Sequence, residues 1–192
     1  MNKKNELEEN NEIEEEEVEE KATARLMEEI PIVNAEDAQK VYERGFYGEI
    51  QEDGTLELSP VETLLLVERN RLEVFDENNE SLNFQTLTKI FMKSNPDIWL
   101  KYLVYRDLRS RGYIVRAGYG GKIDFRLYPR GAKLGTDTSK SLIYTVNEGA
   151  PIGLEDLDRV TKLAVSTRKK LTMAVVNRQG EVTYYQVSQV SI

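Results

Sequence analysis

The residues best suited to chemistry lie in one stretch, Tyr102 to Gly131. It closes on Tyr128-Pro129-Arg130-Gly131. A strand ending in Tyr-Pro-X-Gly aims a phenol at a turn, where the ring either meets a ligand or simply packs on the surface. The same stretch carries Arg106, Arg109, Arg111, Arg116, Arg126 and Arg130. A guanidinium donates two parallel hydrogen bonds in one plane, which suits phosphate. Asp107 and Asp124 neutralise part of this set, and Arg106-Asp107 is expected to tie a helix to the strands rather than to touch a ligand. Arg130, Lys133, Lys162, Arg168 and Lys169 are the better phosphate candidates. The chain has no histidine and no cysteine. It therefore lacks the side chain that ordinarily exchanges protons near neutral pH, and it has no disulfide or thiolate metal site. No metal and no cofactor are expected.

These residues must be held by a scaffold, and hydrophobic periodicity outlines one. Residues 35–48 read as a helix stopping at Gly45, and Gly48 to Leu58 as a hairpin turning at Asp53-Gly54. Ser59-Pro60-Val61-Glu62 has the pattern of a capping box opening a helix through Asn70. Leu72 to Phe75 reads as a strand and Ser81 to Lys93 as a helix. Asn95-Pro96-Asp97 is a boundary, and Trp99 to Arg111 is a helix ended by Arg-Gly. Two strands follow, around Tyr113 to Val115 and Ile123 to Leu127, joined by the glycine-rich turn of Gly118, Gly120 and Gly121. After a polar loop from Ala132 to Ser139 come a strand (Ser141 to Val146) and an amphipathic helix (Leu154 to Ser166). Two last strands, Leu171 to Val176 and Val182 to Val190, are joined through Asn177-Arg178-Gln179-Gly180. The fold class is α+β. A small N-terminal α+β domain (31–96) precedes an α/β domain with a mixed sheet (97–192).

Charge divides the 192 residues unevenly. Residues 1–30 hold 12 acids and 4 bases, and residues 31–98 hold 14 acids and 6 bases. Residues 99–192 reverse this, with 8 acids and 16 bases. The overall acidity argues against nucleic acid, but phosphate contact needs local positive charge, and the C-terminal half has it. Residues 1–30 are rich in Glu and Asn, with Glu14 to Glu17 in a row, and read as a disordered, solubilising tail. The alternative is an acidic arm that competes with RNA for basic surface. No apolar run reaches membrane-spanning length and the acidic start is no signal peptide, so a cytoplasmic protein without a membrane partner is expected.

Tyr105-Arg106-Asp107-Leu108-Arg109, Arg111-Gly112-Tyr113, Asp124-Phe125 and Tyr128-Pro129-Arg130-Gly131 resemble the archaeal tRNA-splicing endonuclease family in order and spacing. Gly45 to Glu49 and Leu58 to Val74 are similar to that family's N-terminal domain, and the likeness runs from about Ala35 to Tyr185. The resemblance implies removal of introns from precursor tRNA at bulge-helix-bulge motifs, leaving a 2′,3′-cyclic phosphate and a 5′-hydroxyl. It implies a tyrosine, a histidine and a lysine as catalytic groups. The tyrosine falls on Tyr128, the lysine on Lys169 with Lys170 as its neighbour, and the histidine's place is taken by Thr138. A threonine hydroxyl does not deliver a proton at neutral pH as imidazolium does, and losing a general acid costs ~10²- to 10⁴-fold in rate. The resemblance therefore implies a non-catalytic structural subunit, partnered by a homologous catalytic subunit in an (αβ)2 heterotetramer. It places the subunit interface on Thr183, Tyr184, Tyr185, Gln186 and Val187. A second contact falls on the loop Asn177 to Glu181, in which only Glu181 is acidic. The competing readings are an active metal-independent ribonuclease using Tyr128 and Lys169, and a stand-alone RNA-binding protein.

Overall fold

A computed structural model describes residues 21–120 and 122–190. The chain opens with β1 (Ala22–Met27) and β2 (Ile30–Val33), followed by α1 (Ala35–Glu43). The short hairpin of β3 (Glu49–Ile50) and β4 (Leu56–Glu57) leads into α2 (Pro60–Glu68). Then come β5 (Leu72–Phe75), β6 (Ser81–Leu82) and α3 (Phe84–Ser94). These strands form one mixed sheet in the order β3-β4-β2-β1-β5-β6, with β1 parallel to β5. The predicted capping box is present. The Ser59 N–H donates to Glu62 Oε2 at 2.9 Å, and Glu62 Oε1 accepts the Gly48 N–H at 3.0 Å.

The C-terminal half begins with α4 (Ile98–Ser110) and the hairpin of β7 (Ile114–Gly120) and β8 (Ile123–Tyr128). β9 (Ser141–Asn147), α5 (Leu154–Ser166), β10 (Lys170–Val176) and β11 (Val182–Val187) complete it. The second sheet runs β11-β10-β9-β8-β7. β9 and β10 are parallel because α5 carries the chain back between them, and the other pairs are antiparallel. α4 is the shared wall of the two halves. Its Tyr102, Val104 and Tyr105 are buried in one continuous core with Leu65 and Phe91 from the first half and Phe125, Ile143 and Ala174 from the second sheet. α5 covers the sheet with a second cluster, including Val160, Ala164, Leu142 and Leu171. Among the described residues no helix is long and apolar enough to cross a membrane.

Three sequence expectations need correction. The supposed tail does not extend to residue 30: β1 lies inside the first sheet between β2 and β5, so the N-terminal domain starts near Ala22 rather than at 31. The part of that expectation covering residues 1–20 lies outside the described residues. β1 escaped notice because its buried positions are Ala22 and Ala24, small side chains that give little strand signal. Its turn is equally illegible. Met27 pairs with Ile30, leaving a two-residue loop in which Glu28 and Glu29 both have positive φ, 48° and 69°. Such loops normally read Asn-Gly or Asp-Gly. The second correction is at Ser81, expected in a helix. Phe75 and Val74 pair with Ser81 and Leu82, and Asn83 caps α3 by accepting the Thr86 N–H at 2.9 Å. The third is the last strand, which stops at Val187, where its pairing with β10 ends at Leu171. In the β7–β8 hairpin the register shifts between Ala117 and Gly120, and a Cβ added at Gly118 would overlap the Ile123 carbonyl. Gly121 lies outside the described residues.

Glu28 and Glu29 hold a left-handed conformation that costs L-residues ~1–2 kcal/mol each. Replacing the pair with Asn-Gly is expected to stabilise the protein by about 1 kcal/mol, raising Tm by ~2–4 °C in a chain of this size. Differential scanning calorimetry checks this, and an unchanged or lower Tm refutes it.

Candidate nucleic-acid interface and catalytic positions

Strand register puts Tyr128, Thr138 and Lys169 at one end of the second sheet. Leu127 pairs with Ser141, and Ser141 with Lys170. Tyr128 and Lys169 therefore stand one residue beyond the last shared row, on strands two ladder steps, or about 10 Å, apart. The Lys140 N–H donates to the Leu127 carbonyl at 2.9 Å and the Lys170 N–H to the Lys140 carbonyl at 2.9 Å, which fixes the loop before β9 between them. The Lys169 ammonium donates to the Ser139 carbonyl at 2.8 Å. Ser139 is buried and Thr138 beside it is exposed. Lys169 is thus bound to the loop at the residue next to Thr138.

The end of α5 delivers that lysine. The Arg168 N–H bonds to the Val165 carbonyl at 3.0 Å and the Lys169 N–H to the Ala164 carbonyl at 2.8 Å. Arg168 has φ 55°, the left-handed position that usually belongs to glycine at a helix end. The reversal turns the chain from α5 into β10 and leaves Arg168 exposed. A phenol, an ammonium and a hydroxyl can hydrogen-bond a phosphate and offset its charge. They do not supply a group that both gives and takes a proton near pH 7.

The six arginines divide sharply. Arg106 pairs with Glu68 of α2 at 3.2 Å, and Arg111 with Asp107 at 2.8 Å. Arg109 donates to the Gly45 carbonyl at 2.9 Å and lies over the Tyr47 ring at 4.3 Å. Arg116 donates to the Phe46 carbonyl at 2.9 Å and the Gly48 carbonyl at 2.6 Å. Arg126 donates to the Ala117 carbonyl at 2.7 Å. Arg111 is exposed despite its ion pair, and Arg130, also exposed at the sheet end, stacks over Tyr113 at 5.2 Å with no carboxylate partner among the described residues. Of the other candidates, Lys133 and Arg168 are exposed at the same end, whereas Lys162 sits on α5 in a 2.6 Å ion pair with Asp158. Sequence reading passed over Lys140, which flanks the loop between Thr138 and β9. Assigning the register of β9 would have revealed it.

β11 is the outer strand of the second sheet. Its Thr183, Tyr185 and Gln186 are exposed, while Tyr184 turns inward and donates its hydroxyl to Asp107 at 2.7 Å. Asp107 therefore does tie α4 to the strands, as expected, although Arg106 points instead to α2. The loop after β10 is closed on itself, with Asn177 Oδ1 accepting the N–H groups of Gln179 and Glu181 at 3.0 and 2.9 Å. A cleft of about 310 Å³ lies along β7, walled by Ser59 and Glu62 of α2 and by Ile98 and Tyr105 of α4.

Comparison with known families agrees with this two-part layout. The family model for the tRNA intron endonuclease N-terminal domain matches residues 22–88, and that for the catalytic C-terminal domain matches residues 98–184. The chain belongs to the tRNA intron endonuclease family. It is 36% identical over 151 residues to a tRNA-splicing endonuclease of Thermococcus onnurineus, covering 79% of this chain and 85% of the relative. It is 34% identical over 169 residues to one from Methanococcus vannielii, covering 88% and 94%. A tRNA-splicing endonuclease of Methanococcoides burtonii is 35% identical over 166 residues, which is 86% of this chain but 46% of that relative. The chain thus spans about half the length of the last protein.

Burial, then the Asp107 hydrogen bond and charge, push the pKa of the family member's Tyr184 hydroxyl upward. A raised folded-state pKa means that the bond's contribution is present below the unfolded tyrosine value of about 10 and is lost as pH rises past it. Tyr184→Phe is expected to cost about 1 kcal/mol at pH 7, ~2–4 °C in Tm, with the gap to the parent closing above pH ~10. Paired thermal melts at neutral and alkaline pH test this. A gap that widens with pH contradicts it.

Proposed function

We propose that this chain is the non-catalytic subunit of a tRNA-splicing endonuclease that removes introns at bulge-helix-bulge motifs. The observation behind the proposal is Thr138, standing where the resemblance places the family's histidine, in a chain with no histidine at all. Metal-independent cleavage needs a base at the 2′-oxygen, an acid at the leaving 5′-oxygen and a cation for the crowded phosphorus. Its products are a 2′,3′-cyclic phosphate and a 5′-hydroxyl. Lys169 has the character of the cation, and Tyr128 that of a hydroxyl near the 2′-oxygen. The acid is missing. The complete set is then supplied by a homologous, histidine-bearing subunit in an (αβ)2 assembly. This chain contributes RNA grip through Arg130, Lys133 and Arg168, pairing of β11 with its counterpart strand, and the cleft along β7 for a charged loop of the partner. The M. burtonii relative, more than twice as long as the segment matched, is consistent with two such units working together.

The purified chain is expected to leave a bulge-helix-bulge RNA uncut in EDTA, and addition of a histidine-bearing homologue to restore cutting. Thr138→His is expected to raise the chain's own cleavage by ~10²- to 10⁴-fold, since Tyr128 and Lys169 are already present. Robust cleavage by the unaltered chain alone would overturn the reading and favour the active ribonuclease.

The interface has its own test. Proline at position 185 removes a backbone donor and restricts φ in an edge strand. Tyr185→Pro is expected to prevent the heteromer from forming, as read by size-exclusion chromatography with light scattering on the co-expressed pair. A full-size, RNA-cutting complex with this substitution would show that β11 is not the interface.

A further inference from the structure

Six cations gather at the end of the second sheet that carries Tyr128. Residues 129–140 and 167–170 hold Arg130, Lys133, Lys140, Arg168, Lys169 and Lys170 against one acid, Asp137. That acid is occupied within its own loop. Asp137 Oδ2 accepts the Lys133 N–H at 2.7 Å, and the Asp137 N–H donates to the Lys133 carbonyl at 2.9 Å. Among the described residues none of the six cations has an ion-pair partner, and all but Lys169 are exposed.

Lys140 is set apart by how its backbone is held. Leu127 pairs with Ser141, and Ser141 with Lys170. One residue before that shared row, the Lys140 N–H donates to the Leu127 carbonyl and the Lys140 carbonyl accepts the Lys170 N–H, both at 2.9 Å. The main chain of Lys140 is therefore bonded to β8 on one side and to β10 on the other. It stands about one ladder step, ~5 Å, from the strand that ends in Tyr128 and from the strand that follows Lys169. The residue before it is fixed as well, since Ser139 is buried and its carbonyl accepts the Lys169 ammonium at 2.8 Å. The side chain of Lys140 is exposed, and among the described residues it has no hydrogen bond or ion pair. Lys169 uses one of its three donors to hold the loop. Lys140 has all of its own to offer, from a backbone already ordered, which lowers the entropy cost of a contact.

We propose that Lys140 is an RNA-positioning residue, whose ammonium holds a backbone phosphate beside Tyr128 and Lys169. This rests on the reading of that end of the sheet as an RNA contact. Lys169 pins the loop, and Lys140 supplies a charge that no carboxylate among the described residues offsets. A phosphate contact sets the register and affinity of the RNA without reading its bases.

Fluorescence anisotropy on the full chain with a labelled bulge-helix-bulge RNA, repeated from ~50 to ~200 mM salt, tests this. Lys140→Gln is expected to weaken binding about tenfold at ~50 mM and about threefold at ~200 mM, because one lost phosphate contact lowers the slope of log K against log salt by about 0.7 to 0.9. Lys140→Arg keeps the charge and is expected to match the parent in affinity and slope. Lys122→Gln is the control: this exposed lysine lies at the opposite end of β8, 3.6 Å from Asp156, and its loss is expected to leave binding unchanged. Lys140→Gln is expected to keep the parent Tm, since its side chain holds nothing within the chain. Parent affinity and slope in Lys140→Gln, while Arg130→Gln weakens binding, overturns the proposal and leaves the RNA reading standing. An equal loss in Lys122→Gln also overturns it. No RNA binding by the parent chain overturns the RNA reading itself, and this proposal with it.

Discussion

Arg116 reaches from β7 into the first half of the chain, where it meets the carbonyls of Phe46 and Gly48. The chain there has just left α1, and Phe46 holds a left-handed conformation, so these carbonyls have no strand to pair with. Buried carbonyls without donors are costly, and a guanidinium satisfies two at once. Arg109 does the same for Gly45, and the buried Glu62 takes the Gly48 N–H from the other side. Arg116 is itself mostly shielded, its side chain 13% exposed, with Glu49 at 3.3 Å and Glu62 at 4.0 Å. The seam fixes the orientation of the two sheets through backbone atoms, which side-chain substitution elsewhere does not remove.

That seam also decides which charges are free. Of the six arginines from Arg106 to Arg130, five are held by carboxylates or carbonyls within the chain, and among the described residues Arg130 is left with a ring alone, that of Tyr113. The cations available to a polyanion are instead those on the loops at one end of the second sheet. Two local devices assemble them. The reversal at Arg168 starts β10 in register with β9, and the Lys169 bond to Ser139 draws the loop before β9 to that strand. The charge is focused because the strands are parallel there: β9 and β10 both start at this end, and each is preceded by basic residues.

The pair Tyr128 and Lys169 and the outer strand β11 depend on opposite features of the same sheet. Tyr128 and Lys169 need the rigid interior ladders of β8, β9 and β10. β11 offers an outer edge, whose backbone donors and acceptors face away from the sheet. Tyr184 anchors that edge to α4 through Asp107, so the strand is held flat while Tyr185 stays outward.

Much of this was legible in the residues themselves. The capping box at Ser59 and Glu62, the Asp53-Gly54 turn, the helices of the C-terminal half and its strands follow from local pattern, because capping, turn geometry and amphipathic period are properties of neighbouring residues. The order of Tyr128, Thr138 and Lys169, and the absence of histidine, also belong to the sequence. β1 did not show, since alanines and a Glu-Glu turn carry no strand signal until β2 and β5 flank them. Nor did the roles of Arg109 and Arg116, because their partners lie 64 to 70 residues away and are carbonyls, which every residue possesses. Sequence supplied the chemical types at the candidate site. Only strand register, set by long-range pairing, placed Lys169 against the loop of Thr138 and left one end of the sheet positively charged.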